Sequence, residues 1–179
     1  MLTIFTKKKI REDKLAKVLV NALLKLTANG FKEVAAAINE DPEFRTRPNI
    51  DPANDHHFLL IITSGNLTVL DRYLNSGTDG RVKEYMISLM AEAMNISSAQ
   101  LNSQLTELKG LMRRVNHPSK NVIYAMSKAL FFRYDLIRHQ QEYFVNMNTP
   151  NPVSRKKIDD LMQHFLWDWD SFLDDYKIT

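Results

Sequence analysis

The sequence predicts an all-α fold: a single-domain, irregular bundle of about six helices covering residues 1–179. Apolar residues recur at three- and four-residue steps over most of the chain, which is the spacing of one helix face. Only 5 Gly and 6 Pro are present, fewer than the many tight turns of a sheet protein require. With 44% hydrophobic residues, a chain of this length can close one core, so a single domain is expected.

The first helix is expected from about Glu12 to Ala28, with Gly30 as a left-handed stop just behind it. A short second helix is expected over 32–39. Residues 40–54 are expected to form an irregular loop with few anchoring contacts to the rest of the domain, because they include three prolines and few side chains that can pack. This Pro-containing loop and a basic N-terminal segment, residues 1–11, are the two distinctive segments of the predicted domain.

Asp55 can begin a helix that carries the apolar run from Phe58 to Ile62, and Ser64-Gly65-Asn66 is expected to kink or break it. A buried strand over 58–63 is the competing interpretation, since the run is short and partly β-branched. It is disfavoured because the sequence offers no second strand for pairing. The next helix is expected to start at Thr78 or Asp79 and to reach about Met94.

Ser97 and Gln100 have the spacing of a capping box and predict the start of another helix. Residues 116–119 form a tight connection, because Pro118 disfavours helix in the residue before it. The longest helix is then expected over 119–144, a second loop over 146–153, and a last helix over 154–176.

The chain contains no Cys, so disulfides, thiolate ligands and thiol nucleophiles are excluded. Three lysines follow, rather than precede, a very short apolar start, which is unlike a signal peptide. The longest apolar run, residues 58–62, is far shorter than a membrane span. We therefore expect a cytoplasmic protein that does not insert into a membrane.

Two acid–histidine pairs, Asp135 with His139 and Asp160 with His164, have the four-residue spacing of neighbours on a helix face. Facing helices could bring such pairs into a metal site. Ordinary surface pairs have the same spacing, however, so we predict no bound metal and no other cofactor. No nucleophile constellation or phosphate-binding glycine loop is present either, which favours a non-catalytic protein.

Basic residues cluster at the start of the chain and again before and after Pro118. The candidate nucleic-acid contacts in these two clusters are Lys7, Lys8, Lys9, Arg113, Arg114 and Lys120. The segment after the second cluster, residues 119–124, is poor in base-reading side chains, and a basic helix face is commonly just solvated. A nucleic-acid-binding regulator is therefore the alternative interpretation of function.

The leading interpretation is a protein–protein interaction module that associates with itself or with another protein. The expected last helix is rich in aromatic residues, and the candidate interface consists of Trp167, Trp169, Phe172 and Tyr176. The chain is also basic at its start and acidic at its end, so two copies could pair head to tail as a homodimer. Alternatively, the two ends meet within one chain.

Met86, Met90 and Met94 are spaced four residues apart, and we predict that they form a stripe of the hydrophobic core.

Overall fold

The computed structural model describes residues 7–179, so the first six residues of the predicted basic segment lie outside it. The described part contains six helices of eleven or more residues and two shorter ones. They are α1 (Glu12–Asn39), α2 (His56–Leu70), α3 (Thr78–Ala93), α4 (Ser98–Asn116), α5 (Val122–Arg133), α6 (Glu142–Asn146), α7 (Pro152–Met162) and α8 (Trp169–Asp175). The prediction of a single all-α domain with about six main helices is confirmed.

Helix α2 lies at the centre of the bundle and is buried on all sides from Phe58 to Leu67. The break expected at Ser64-Gly65-Asn66 is wrong, because α2 continues through these residues. The reason is packing: a Cβ atom on Gly65 would collide with the Met126 sulfur, so glycine allows α5 to approach α2 closely. The alternative of a strand over 58–63 is also wrong.

Helix α1 is a single helix of 28 residues, so the expected stop at Gly30 is wrong. Gly30 lies inside the helix, where a Cβ atom would be 2.7 Å from a ring carbon of Phe165. The glycine therefore makes room for an aromatic side chain rather than ending the helix. Helix α3 begins at Thr78 as predicted, and α4 begins with the predicted capping box of Ser97 and Gln100.

The two longest predicted helices are interrupted. The helix expected over 119–144 ends at Arg133, and Asp135 then adopts a left-handed backbone with φ 54°. A 3-10 turn and the short α6 follow. The helix expected over 154–176 ends at Met162, and Leu166 is extended before Asp168 caps α8. Short polar residues such as Asp tolerate the left-handed conformation, which allows the chain to turn at Asp135.

The loop over 40–54 is irregular, as predicted, but the expectation of few anchors is wrong. Phe44 and Ile50 are buried at 8% and 7% exposure. The Ile50 N–H donates to Asn39 Oδ1 at 2.7 Å, and Asn39 Nδ2 donates back to the Ile50 carbonyl at 2.9 Å. Lys157 also forms an ion pair with Asp41 at 2.6 Å. The loop is therefore packed against the bundle.

The two ends of the chain meet within one molecule, through two short strands that were not predicted. Strand β1 (Lys8–Ile10) pairs in parallel with β2 (Tyr176–Ile178). The Thr179 N–H donates to the Ile10 carbonyl at 2.9 Å, and the Lys7 ammonium donates to the Leu173 carbonyl at 2.5 Å. The two ends therefore meet within the single chain, and head-to-tail pairing of two copies stays a prediction.

The methionine stripe is part of the core, as predicted: Met86 and Met90 are 2% and 1% exposed, and Met94 packs against the core as a partly buried side chain. Within residues 7–179, no helix combines the length and the apolar character needed to cross a bilayer.

Candidate functional site

A concave pocket of about 430 Å³ lies where α4 meets α5. The end of α4, the turn that follows it and the first turn of α5 form most of its wall, and the end of α2 closes the other side. The lining residues are Thr68, Asp71, Lys109, Met112, Arg113, Asn116, His117, Pro118, Ser119, Lys120, Asn121, Val122 and Ala125.

The turn between α4 and α5 is held in place by two asparagines. Asn116, which is 4% exposed, donates from Nδ2 to the carbonyls of Asn121 and Ser119 at 3.0 and 3.3 Å. The Asn121 side chain accepts the Tyr124 N–H at 3.1 Å and so caps α5. Because Asn116 supplies both donors to the turn, the position of Lys120 on it depends on this buried carboxamide.

A charged network behind the turn supports Asn116. The Lys128 ammonium donates to Asn116 Oδ1 at 3.1 Å. Burial and then the nearby Arg155 charge lower the pKa of Lys128, while Asp159 opposes that effect. Arg155 Nε lies 3.5 Å from the Asp159 carboxylate, and the Arg155 guanidinium lies 4.6 Å from the centre of the Tyr124 ring. Helix α7 therefore supports the pocket through Arg155 and Asp159, although it contributes no residue to the pocket lining.

The rim of the pocket carries an excess of positive charge. Lys109, Arg113 and Lys120 are exposed, and in the described part of the chain none of them has a carboxylate within 4.0 Å. The one lining carboxylate, Asp71, forms an ion pair with Lys83. Three lining cations are therefore free to attract an anion into a concave site.

The first turn of α5 adds a favourable partial charge to the same pocket. Asn121 satisfies the N–H groups of Tyr124 and Ala125 through its side chain and its carbonyl. The N–H groups of Val122 and Ile123 have no acceptor within the helix, as is general for the first helical turn. Together with the helix dipole, they favour negative charge at this end of α5.

The remaining candidate nucleic-acid contacts lie outside this pocket. Arg114 lines a neighbouring shallow groove with Glu107 and Arg133. Lys7 lines a groove beside β2, and the Lys8 ammonium lies 6.0 Å from the centre of the Tyr176 ring. Lys9 is exposed on β1, opposite Lys177. The structure thus groups Arg113 with Lys120 in one pocket and places Lys7, Lys8 and Lys9 outside it, on or beside β1.

The four aromatic interface candidates form one cluster that packs on itself. Trp169 is 2% exposed and stacks on Tyr73 at 5.7 Å between ring centres, so its indole belongs to the core. Phe172 contacts Trp167 at 5.6 Å and stacks on Tyr176 at 4.8 Å. Trp167 is partly buried, and its backbone N–H donates to Asn66 Oδ1 at 2.8 Å.

The helical spacing behind the acid–histidine pairs is absent from the structure. Asp135 lies in the turn after α5, and His139 Nδ1 lies 2.8 Å from the Thr46 hydroxyl. Burial, followed by the Arg138 charge, lowers the pKa of His139, although Asp135 opposes the shift. Asp160 forms an ion pair with Lys156, and His164 lies in the 3-10 turn beyond α7. No three potential metal ligands converge anywhere in residues 7–179.

Three exposed apolar side chains near α6, which we call the α6 patch, were not predicted. Tyr143, Met147 and Val153 are 67%, 60% and 51% exposed, and α6 buries none of its residues. The sequence signal was the group of apolar residues Tyr143, Phe144, Val145 and Met147, and the predicted boundary between a long helix and a loop divided that group. Lys109 and Asn116 were also missed, although Lys109 and Arg113 have the four-residue spacing of neighbours on a helix.

Comparison with known proteins adds no relative, since no family model, curated protein or solved structure matches this chain.

Proposed function

We propose that the chain is a non-catalytic binding module and that its α4–α5 pocket binds phosphate groups of nucleic acid. The observation that supports this proposal is the convergence of Lys109, Arg113 and Lys120 on one concave pocket without carboxylate partners. Unpaired cations in a concavity attract phosphates strongly, because few protein groups compete for them.

The individual groups suit a phosphate. A guanidinium such as that of Arg113 can donate two parallel hydrogen bonds to phosphate oxygens, and lysine ammonium groups act as point charges beside it. Arg114, which is exposed, is proposed as a flanking contact for a longer strand. Lys7 and Lys8 contribute less in this proposal, because residues near the C-terminus already contact them.

The experiment measures the affinity of the chain for a fluorescent single-stranded oligonucleotide of about 12 nucleotides by anisotropy. The variant is Arg113→Gln with Lys120→Gln. Its matched control is Lys14→Gln with Lys17→Gln, which removes the same charge from the exposed surface of α1. We expect roughly a tenfold or greater loss for the pocket variant at low salt. The slope of log affinity against log salt should also fall by about 1.4, the value for two lost phosphate contacts on a single strand.

Equal losses in the pocket variant and the α1 control would contradict the proposal, since binding would then follow net charge alone. Wild-type protein that shows no affinity at about 50 mM salt would also contradict it, because electrostatic binding is strongest under those conditions.

Self-association is a second proposed function, and the observation that favours it is the exposed α6 patch of Tyr143, Met147 and Val153. Large exposed apolar patches commonly mark interfaces, and two-fold homodimers are the commonest oligomers. The aromatic cluster of Trp167, Phe172 and Tyr176 is a second candidate interface in this proposal.

Light scattering of wild type, Met147→Glu and Trp167→Glu tests both surfaces. A dimer that dissociates only with Met147→Glu supports the α6 patch, and one that dissociates only with Trp167→Glu supports the aromatic cluster. A wild-type monomer at every concentration would refute the homodimer.

A cytoplasmic location is also part of the proposed function, and the cysteine-free composition supports it.

A further inference from the structure

The floor of the α4–α5 pocket is apolar, although its rim is basic. Met112, Val122 and Ala125 line the pocket and are 6%, 8% and 9% exposed. Pro118 adds a further apolar surface from the turn. A site that binds phosphates alone needs no such floor, since phosphate oxygens gain nothing from apolar contact.

The polar groups of the pocket are divided between two sides. The cations Lys109, Arg113 and Lys120 belong to α4 and the turn after it, whereas Thr68 and Asp71 belong to the end of α2. The Thr68 hydroxyl donates to the Ser64 carbonyl at 2.9 Å, so it remains available as an acceptor. The α2 side therefore offers acceptors, namely the Thr68 hydroxyl and Asp71 Oδ2, since Asp71 Oδ1 is already bound by Lys83. The α4 side offers donors and positive charge.

This division matches the chemistry of a nucleotide, which combines an anionic phosphate, a flat apolar ring surface and ring N–H donors. A duplex presents a convex backbone and keeps its bases stacked inside, so its rings cannot reach an apolar floor in a pocket. The volume of about 430 Å³ falls within the range of small-ligand sites.

We propose that the pocket holds one unpaired nucleotide, with its base against Met112, Val122 and Ala125 and its phosphate between Arg113 and Lys120. In this arrangement Asp71 accepts a hydrogen bond from the base or the sugar. The inference rests on the proposed phosphate binding and adds to it a preference for an unpaired base. The nucleotide can be free or part of a single strand, and the experiment distinguishes these two sources.

The test compares four probes by anisotropy or by competition: a single-stranded oligonucleotide, a duplex of the same sequence, a free nucleoside monophosphate and inorganic triphosphate. The variant Ala125→Leu adds bulk to the floor while leaving every cation in place. It should weaken single-strand binding roughly tenfold and leave duplex binding unchanged, because the added bulk fills the space of an unpaired base and a paired base does not reach the floor.

Asp71→Asn is the second variant, and because Asp71 is exposed it is expected to fold normally. It should change the order of affinity among the monophosphates of adenosine, guanosine, cytidine and uridine, and it should raise the affinity for triphosphate, because it removes a negative charge from the pocket. The matched control is Asp51→Asn, an exposed loop carboxylate that does not line the pocket. Thermal unfolding of each variant shows whether Ala125→Leu has kept the fold, and the Asp71→Asn result decides the question if it has not.

Competition by the free monophosphate identifies a free nucleotide as the ligand, and binding of the strand alone identifies an unpaired residue within a chain. Either outcome supports the inference. Equal affinity for single strand and duplex, with no effect of Asp71→Asn on base ranking, would overturn it while leaving phosphate binding intact. If the affinity of every probe is unchanged by Arg113→Gln with Lys120→Gln, the proposed function itself is wrong.

Discussion

The two basic regions of the chain have similar sequence signals and opposite environments. At the N-terminal end, Lys7 donates to a backbone carbonyl near the C-terminus and Lys8 lies over the Tyr176 ring. At the α4–α5 junction, Arg113 and Lys120 line an open pocket and have no carboxylate partner in the described residues. A run of basic residues is therefore ambiguous until its spatial neighbours are known.

The difference depends on whether another segment of the chain covers the basic region. The chain returns to its start at β2, and its parallel pairing with β1 brings C-terminal residues onto the N-terminal lysines. Within residues 7–179, no comparable segment covers the α4–α5 turn, and its buried contacts are made by Asn116 and Lys128. We accordingly expect the terminal region to contribute to stability and the pocket to contribute to binding.

The largest expected effect is on the terminal region. Trp169→Ala removes a 2% exposed indole that stacks on Tyr73, so it should lower the free energy of unfolding by about 3–5 kcal/mol. Urea denaturation followed by circular dichroism measures the change. Trp167→Ala is the comparison, because Trp167 is only partly buried and should cost less. If the two variants lose the same free energy of unfolding, the stability of the aromatic cluster does not depend on Trp169 as its buried centre.

Asn116→Ala should affect both stability and binding. It leaves two turn carbonyls and the Lys128 ammonium without their partner, which should cost about 1–3 kcal/mol. It should also weaken oligonucleotide binding, because the turn that carries Lys120 is no longer held. Asn102→Ala, an exposed change on α4, is the control. If Asn116→Ala lowers stability but leaves affinity unchanged, the turn does not position the phosphate contacts.

Gly110→Ala tests whether the stability of α4 can change without a change in the affinity of the pocket for the oligonucleotide. An added Cβ at Gly110 meets nothing within 4 Å, so alanine should stabilise the helix by about 0.5–1 kcal/mol. The affinity for the oligonucleotide should not change. The contrasting variant is Gly30→Ala, which should be destabilising because its Cβ would meet the Phe165 ring at 2.7 Å. Urea denaturation of the two variants should therefore give shifts of opposite sign.

The smallest expected effect comes from Lys8→Gln combined with Lys9→Gln. These lysines do not line the pocket, so the number of phosphate contacts there is unchanged and oligonucleotide affinity should stay within about twofold. A loss as large as that of Arg113→Gln with Lys120→Gln would show that both basic regions contact the same strand. The comparison between the two regions would then no longer hold.

Much of the local structure could be predicted because its signals lie close together in the sequence. The capping box of Ser97 and Gln100 and the helix start at Thr78 each depend on residues a few positions apart. The stripe of Met86 and Met90 was assigned to the core on its helical spacing alone. The pocket was half predicted: Arg113 and Lys120 were chosen for charge, whereas Asn116 was not chosen because its role depends on Lys128.

By itself, the sequence determined the fold class, since helical periodicity and scarce Gly and Pro act over short distances. The tertiary structure decided whether a glycine ends a helix or lets a neighbour approach, as Gly30 and Gly65 do with Phe165 and Met126. It also decided which basic cluster stays open, because β1 and β2 are paired across more than 160 residues. Such contacts depend on the packing of distant segments, and local sequence carries little information about that packing.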